Sequence, residues 1–590
     1  MPLSLSSRSR ALARWIEKVP LAISGADPPQ LTPSRDRDAL GANVIRRGTL
    51  SSIFESDGMR LSVFAAAVAA LAGSVNGLHA KQELGYIPLI PEDAESPRGI
   101  SKRATNPNIK AATFQQLIDH KNPSLGTFTQ RYWYNAEFYK GPGAPIILNA
   151  PGEYASDNFV GYTTNLTLPG VFAQTNGGAA LILEHRYWGK SSPYQTLTTE
   201  SLQYLTLDQS VQDLIYFAKN VDLPFDPQGT SKPDKAPWVL SGCSYPGALA
   251  AWTQDLAPGT YWAYHCSSAV VETIGDYWQY FAPIDQAMPK NCSTDMKKIN
   301  SYVQKVLTTG TDDAKKYLKS KFGFTNIADD DFVSAIIGAL PSWQSQQFYS
   351  GYGTIFRVCD WVEGFWPGSN QTTAPGPEGA GLCKSLKGFA KFWREYQLPG
   401  PGACGDNTTS CYDSHDQNAP MYKDTSVENP YNRQWMWFLC NEAFEYWQAG
   451  SLQSTVGYPA PIYNVEYFRK QCPLFFPEVN GHQVGMVKGV RAEDVNRRTG
   501  GWDNVNTTRL LWVNGEYDPW RSASVASDFR PGGPFKGDEE RPSYVIPKAA
   551  HCNDMIVRNA AVNEGAKKVV DAEVKKMKEW VDAFYKQKKE

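Results

Sequence analysis

No Cys-x-x-Cys pair occurs in the chain, although it holds ten cysteines. That absence argues against a zinc site. Neither sign of charge is in excess: 58 Lys and Arg balance 60 Asp and Glu, for a net charge of −2. A chain without a basic or acidic surplus gives no sign of nucleic acid or a membrane surface as partner. The apolar stretch within Met59–Gly77 is too short and too rich in alanine for a membrane-spanning helix. No internal repeat is visible. Histidine is scarce, at seven residues, so few imidazoles could serve as a catalytic base.

Aromatic side chains are abundant, at 13% of the chain with 18 tryptophans. They suit an extended, apolar-walled cleft and would equally suit an aromatic core. A length of 590 residues leaves room for more than one structural unit. The scattered cysteines, with N-x-[ST] sequons at Asn165, Asn291, Asn370, Asn407 and Asn506, point to the secretory pathway and to glycosylation. Met59–Gly77 has a positive start, an apolar centre and small residues at its end. It reads as a signal peptide. Residues 1–58 precede it, rich in Arg, Ser and Pro and without apolar periodicity. The expectation is that Met59 is the biological initiator and that 1–58 is an upstream extension; the alternative is a signal-anchor with a cytoplasmic tail. No stable membrane association is expected after signal removal. The expected location is extracellular, or the vacuolar or lysosomal lumen.

The chain is organised around Ser241-Gly242-Cys243-Ser244-Tyr245-Pro246-Gly247-Ala248. An apolar segment, 236–240, precedes it, and good helix formers, 248–252, follow. Strand, sharp turn with serine at its tip, then helix is the nucleophile-elbow layout. The usual pattern is G-x-S-x-G; here Pro246 takes the last position and Gly247 follows. Proline is tolerated in a first helical turn, where its missing amide would be unbonded anyway. An ordinary Gly/Ser turn would also fit these residues.

Strand character is read at 127–134, 145–150 and 179–184, with helical spacing over 207–219. The next strand is expected to start at Ala269-Val270-Val271. From about Asp276 to Asn480, helical stretches alternate with Gly/Pro-rich loops, and seven of the ten cysteines fall here. That segment reads as an inserted, mostly helical, disulfide-stapled cap. Strands return at 509–514 and 543–546, and an amphipathic helix closes the chain over roughly 561–587. The fold class is α/β, an α/β-hydrolase with a large helical insertion. The expected division is a polar segment over 78–113, a first hydrolase segment over 114–275, the cap over 276–480, and a second hydrolase segment over 481–590.

A serine nucleophile needs a base, and the base needs an orienting acid; this fold supplies them in the order Ser, Asp, His. Asp518 follows the returning strand, and His551 follows the next one. Both therefore fall in loops at strand C-terminal ends, where the partners of Ser244 belong. His120, His185, His265, His415 and His482 do not follow the last strand, and His79 lies in the leader. Asp554 is the rival acid; it sits close to the histidine in the same loop and reads as a supporting group.

These residues resemble the serine carboxypeptidase-like prolyl peptidases, which include lysosomal Pro-X carboxypeptidase, dipeptidyl peptidase II and the fungal acid prolyl endopeptidases. The motifs that carry the resemblance are Gly242-x-Ser244-Tyr245-x-Gly247, the run 184–193 (EHRYWGKSSP), Asn514-Gly-x-x-Asp518-Pro-Trp520 and Ala550-His551-Cys552-x-Asp554. The fungal branch is the most similar, through Asn291-Cys292-Ser293 and the run 434–442 (QWMWFLCNE). The chain departs from the pattern at Pro246, Cys266 and Cys383. The resemblance covers about 114–585 and implies cleavage on the carboxyl side of proline, often at acid pH, with no metal or cofactor. It maps the triad onto Ser244, Asp518 and His551. It implies the amides of Tyr245 and Gly152 as oxyanion donors, and Trp520, Met555, Trp435 and Glu442 as substrate-binding residues. Its partners would be proline-containing peptides or proteins. Because Cys243 and Cys552 each flank a triad member, a disulfide is expected between them. Cys292–Cys359, Cys404–Cys411 and Cys440–Cys472 are the other expected pairs, leaving Cys266 and Cys383 over. Exo-acting cleavage, a secreted esterase on the same fold, and a catalytically dead binding protein are the competing readings.

Overall fold

A computed structural model describes residues 88–90, 106–398 and 408–588. The signal segment, the upstream extension, Cys404 and Asn407 lie outside the described residues. Eight strands form one sheet. They are β1 (Ile109–Leu117), β2 (Thr127–Asn135), β3 (Ile146–Asn149), β4 (Ala179–Leu183), β5 (Trp238–Cys243), β6 (Ala263–Ser267), β9 (Leu510–Gly515) and β10 (Ser543–Ile546). Their order is β1-β2-β4-β3-β5-β6-β9-β10. β1–β2 and β2–β4 pair antiparallel, and every other neighbouring pair is parallel. Every residue of β3, β4, β5, β6 and β9 is buried. These are the continuous apolar runs expected of central strands covered on both faces.

Two expectations need correction. Ala269-Val270-Val271 is not a strand; the strand is Ala263–Ser267, and 269–271 is buried loop. The His265 and Ser267 side chains hid β6, because a polar residue in a short apolar run reads as exposed until its buried partner is known. The segment expected as polar over 78–113 also runs into β1, which begins at Ile109 because it pairs in full with β2, Ile109 opposite Asn135. That edge strand is half-exposed and alternating, so its start carried no sharp apolar signal.

Helices α1 (Leu168–Asn176), α2 (Leu207–Asn220) and α3 (Tyr245–Leu256) cover the sheet with the C-terminal helix α4 (Glu564–Gln587). Helix α4 buries Ala566, Val569, Val570, Met577, Trp580 and Val581 against strand residues including Ile147, Val239 and Val513. Asn563 caps it, its side chain accepting the Ala566 amide at 3.0 Å.

The insertion between β6 and β9 is mostly helical, with helices such as Lys290–Thr309, Thr354–Glu363 and Leu382–Phe392. It also holds strand β8 (Glu445–Trp447), parallel to β7 (Ile274–Asp276), which opens the insertion. The cap is cross-linked by Cys292–Cys359 and Cys440–Cys472. Cys266 and Cys383 are free.

The run 184–193 is a structural clamp. Glu184 is fully buried and accepts from Arg131 Nε at 2.8 Å, Ser191 Oγ at 2.6 Å and the Ser156 amide at 3.0 Å. Arg186, equally buried, pairs with Asp213, Nε to Oδ2 at 2.7 Å. Buried charges of this kind are stable only when paired and fully hydrogen-bonded. Gly189 stands at φ 56, where a Cβ would meet Glu184 Oε1 at 2.2 Å, so glycine is required there.

Candidate active site

Ser244 stands between β5 and α3 with φ 65 and ψ −130, a conformation that L-residues rarely hold. Such a backbone costs about 1–3 kcal/mol and persists only where its surroundings enforce it. Here the Ser244 amide donates to Ser267 O at 2.9 Å, and its carbonyl accepts the Ala248 amide at 2.9 Å. The turn is tight enough that a Cβ on Gly242 would meet Pro246 O at 2.3 Å, and one on Gly247 would meet Ser267 O at 2.7 Å. The two small positions therefore fall at 242 and 247. Position 246 faces no such restriction, and proline fits the first turn of α3. The departure from G-x-S-x-G thus has a geometric reason.

His551 lies in the loop after β10, fully buried. Its Nδ1 is 2.9 Å from Asp518 Oδ1 and 3.0 Å from Oδ2. A carboxylate only accepts, so Nδ1 carries the hydrogen and the Nε2 lone pair is free. Nε2 is buried and has no hydrogen-bond partner; no bond joins it to Ser244 Oγ. Asp518 is also the N-cap of the 3-10 helix Pro519–Ala523, accepting the Trp520 amide at 2.9 Å. That second bond fixes the carboxylate plane facing the imidazole.

A disulfide joins Cys243 to Cys552, the neighbours of Ser244 and His551. A ring nitrogen of His551 lies within 4.8 Å of both sulfurs. The cross-link spans 309 residues, and in the chain-entropy model loops this long contribute roughly 5 kcal/mol. It ties elbow and histidine loop together across the whole insertion. The loop is held further by the Cys552 amide donating to Ser268 Oγ at 3.0 Å and by Asn553 Nδ2 donating to Gln346 O at 3.0 Å.

Gly152 follows β3, next to β5 in the sheet, so it shares the strand ends with Ser244. Its Cβ would meet the Tyr154 ring at 2.2 Å, which keeps that backbone bare. Tyr245 supplies the first amide of α3, at the positive end of the helix. Its phenol bonds His185 Nε2 at 3.0 Å, while His185 Nδ1 donates to Arg186 O at 2.9 Å. Burial holds that imidazole down to about 4, so His185 is neutral and accepts from the phenol.

Trp520 is brought beside His551, ring centroids 6.3 Å apart. Tyr277, Tyr280 and Tyr446 surround it at 5.6, 5.3 and 5.7 Å. Its Nε1 donates to Gln344 Oε1 at 2.6 Å, and Tyr280 OH donates to the same oxygen at 3.0 Å. Gln344 belongs to the cap and carried no motif, so nothing in the sequence singled it out. Met555 packs with Cys243, Cys552 and Tyr162 around the disulfide. Trp435 is buried behind Tyr245, at 5.2 Å, against Phe438 and Phe444. Glu442 pairs with Arg498 at 3.1 Å, although burial still raises its carboxyl above the usual range.

Asp554 is engaged away from the His551 imidazole: it accepts from Ser267 Oγ at 2.6 Å and pairs with His265. Among the other histidines, His120 pairs with Asp213 at 2.8 Å and His415 with Asp330 at 2.9 Å.

The mostly parallel sheet, the strained serine between strand and helix, and the helical insertion define an α/β-hydrolase. The family described as "Serine carboxypeptidase S28" matches residues 115–569, and the chain belongs to it. It is a serine peptidase of that family. Serine protease vicPa of Bipolaris victoriae is 37% identical over 80% of this chain and 89% of its own length. The "Probable extracellular serine carboxypeptidase" of Arthroderma benhamiae is 28% identical, over 80% of this chain and 67% of its own. Among solved structures, an esterase of Pyrobaculum calidifontis covers 80% of this chain and 85% of its own at 10% identity, with a TM-score of 0.28.

Proposed function

We propose that this protein is a secreted, acid-active endopeptidase that cuts on the carboxyl side of proline. Ser244 is the nucleophile, His551 the base and Asp518 its orienting acid. His551 Nε2 takes the hydroxyl proton as Ser244 Oγ attacks the prolyl carbonyl carbon. The amides of Tyr245 and Gly152 donate to the oxyanion of the tetrahedral intermediate. The imidazolium then protonates the leaving amine as the C–N bond breaks. Water attacks the resulting ester, its proton passing to Nε2 and then to Ser244 Oγ as the acid is released. No step calls on a metal or cofactor.

The observation that carries this reading is the Asp518–His551 pair. It leaves Nε2 with a free lone pair, in a loop covalently tied to the elbow. Proline at the cleavage position is supported by Trp520 and its tyrosines beside the imidazole, a wall that suits a flat apolar ring. Secretion is supported by the disulfides and by the extracellular relative. No helix among the described residues is long and apolar enough to cross a membrane.

Mass-spectrometric mapping of cuts in a long proline-rich polypeptide tests specificity. Internal cuts after proline are expected. Release of single C-terminal residues only, or of N-terminal dipeptides only, would replace the endo reading with an exo one. Cleavage of simple esters alone would make the protein an esterase.

Acid adaptation has its own physical support. Burial pushes Glu153, whose carboxylate oxygens have no partner, up to about 8. Burial likewise raises Glu573 and Glu272 to about 7. Each of these carboxyls holds a proton in the folded state that the unfolded chain releases near 4.5. Their contribution to stability is full below that pH and is lost as pH rises through 7 to 8. His185 runs the other way: its contribution is present above 6.5 and lost as pH falls through about 4. Above pH 4.5 three carboxyls lose stability while one imidazole gains it, so the thermal midpoint is expected to peak near pH 4.5 and to fall by roughly 5–10 °C by pH 8. Scanning calorimetry across pH reads this directly; a midpoint that rises toward pH 8 contradicts it.

A further inference from the structure

Behind the elbow lies a second serine–histidine–carboxylate cluster that the proposed chemistry does not use. Ser241 Oγ bonds His265 Nδ1 at 2.8 Å. His265 Nε2 faces Glu573 Oε1 at 3.0 Å and Asp554 Oδ2 at 3.3 Å. Ser267 Oγ donates to Asp554 Oδ1 at 2.6 Å. All five residues are at most 2% exposed. Each comes from an element that matters. Ser241 lies on β5, three residues before Ser244. Asp554 lies in the histidine loop, three residues after His551. His265 and Ser267 lie on β6, and Ser267 also accepts the Ser244 amide. Glu573 comes from α4.

We infer that His265, held between Asp554 and Glu573, is a positioning residue that sets the nucleophile elbow and the histidine loop against each other. The inference rests on the proposed roles of Ser244 and His551. A dry imidazole with two carboxylates on one nitrogen is stable only as the imidazolium, and these carboxylates, outweighing burial, hold it charged, up to about 9. The cation pulls Asp554, and with it the loop carrying His551, toward β6; through Nδ1 the same ring fixes β5 just before the elbow. An unpaired buried carboxylate is strongly unfavourable, so the loop cannot leave without exposing or neutralising Asp554.

Glu573 makes this anchor pH-sensitive. Burial raises its carboxyl to about 7. Below that, one imidazolium faces one carboxylate and the cluster is neutral. Above it, Glu573 ionises and competes with Asp554 for the same cation, and the two anions repel. The other groups set against the cluster are Phe172 of α1, edge-on to His265 at 5.4 Å, and Tyr544 of β10, whose phenol feels both Glu573 and Lys576 of α4. The anchor is therefore tightest in acid.

The test uses the full-length protein and a chromogenic peptide that the wild type cleaves, with kcat and KM measured from pH 4 to 9. Fluorophosphonate labelling and the thermal midpoint are followed in parallel. His265→Gln and Asp554→Asn are expected to lower kcat by about 10-fold or more, with KM changed by less than about 3-fold and labelling slowed in proportion. Glu573→Gln mimics the protonated carboxyl. It should match the wild type in acid and carry its activity higher, moving the alkaline half-point of kcat up by about 0.5 pH unit or more. Coincident pH profiles for wild type and Glu573→Gln, or a kcat within about 2-fold in the other two variants, would overturn the inference. If His265→Gln or Asp554→Asn does not fold, the Glu573→Gln profile alone decides. Ser244→Ala is run alongside: activity retained there would sink the triad itself, whereas an inactive Ser244→Ala with unaltered cluster variants would sink only the positioning role.

Discussion

Ser244→Ala is expected to leave a folded protein with its disulfides intact and turnover lower by about 10³-fold to 10⁶-fold. The fold should survive because the elbow is held by the backbone bonds of Ser244 to Ser267 and Ala248, which the substitution leaves in place. Alanine also tolerates the strained φ of 65 no worse than serine. What is lost is the hydroxyl that attacks the substrate. The residual rate would come from the oxyanion amides and substrate positioning, which remain. The measurement is kcat/KM on a prolyl peptide together with fluorophosphonate labelling. A rate within about 10-fold of wild type, with labelling retained, would reject Ser244.

Asp518→Asn should cost almost as much, about 10³-fold to 10⁴-fold in kcat, through a different route. Asp518 presents both oxygens to His551 Nδ1, at 2.9 and 3.0 Å. The carboxylate can only accept, so it keeps the hydrogen on Nδ1. Its Oδ1 also accepts the Trp520 amide. In an asparagine variant, Oδ1 would stay on that amide, and the new NH₂ would point at Nδ1. The imidazole then accepts at Nδ1 and carries its hydrogen on Nε2, the wrong end for taking the Ser244 proton. Stability should change little, because the cap bond survives. KM should stay near the wild-type value, since the proposed chemistry brings no substrate atom to Asp518. A full-rate Asp518→Asn would show that another group orients the base.

The elbow was legible in the sequence because every determinant is local. An apolar run makes β5, Gly242 and Gly247 give the room that Pro246 O and Ser267 O demand, and helix formers continue as α3. The order of Ser244, Asp518 and His551 could be read the same way, since each follows a strand with its own apolar signature. Strand β6 was harder to place. His265 and Ser267 look like surface residues until Asp554 and Glu573, contributed from the far end of the chain, are seen to satisfy them.

Local apolar periodicity and turn chemistry thus determined the hydrolase sheet, the serine at its elbow and the helical character of the insertion. Only the tertiary structure decided which carboxylate meets which imidazole, Asp518 with His551 and Asp554 with His265. It also decided that Trp520 stands beside His551, with Gln344 of the cap holding its ring. The reason is physical. Periodicity reports how one segment meets the solvent, whereas pairings such as Asp554 with His265 join segments hundreds of residues apart, and their geometry depends on the path of the whole insertion between them.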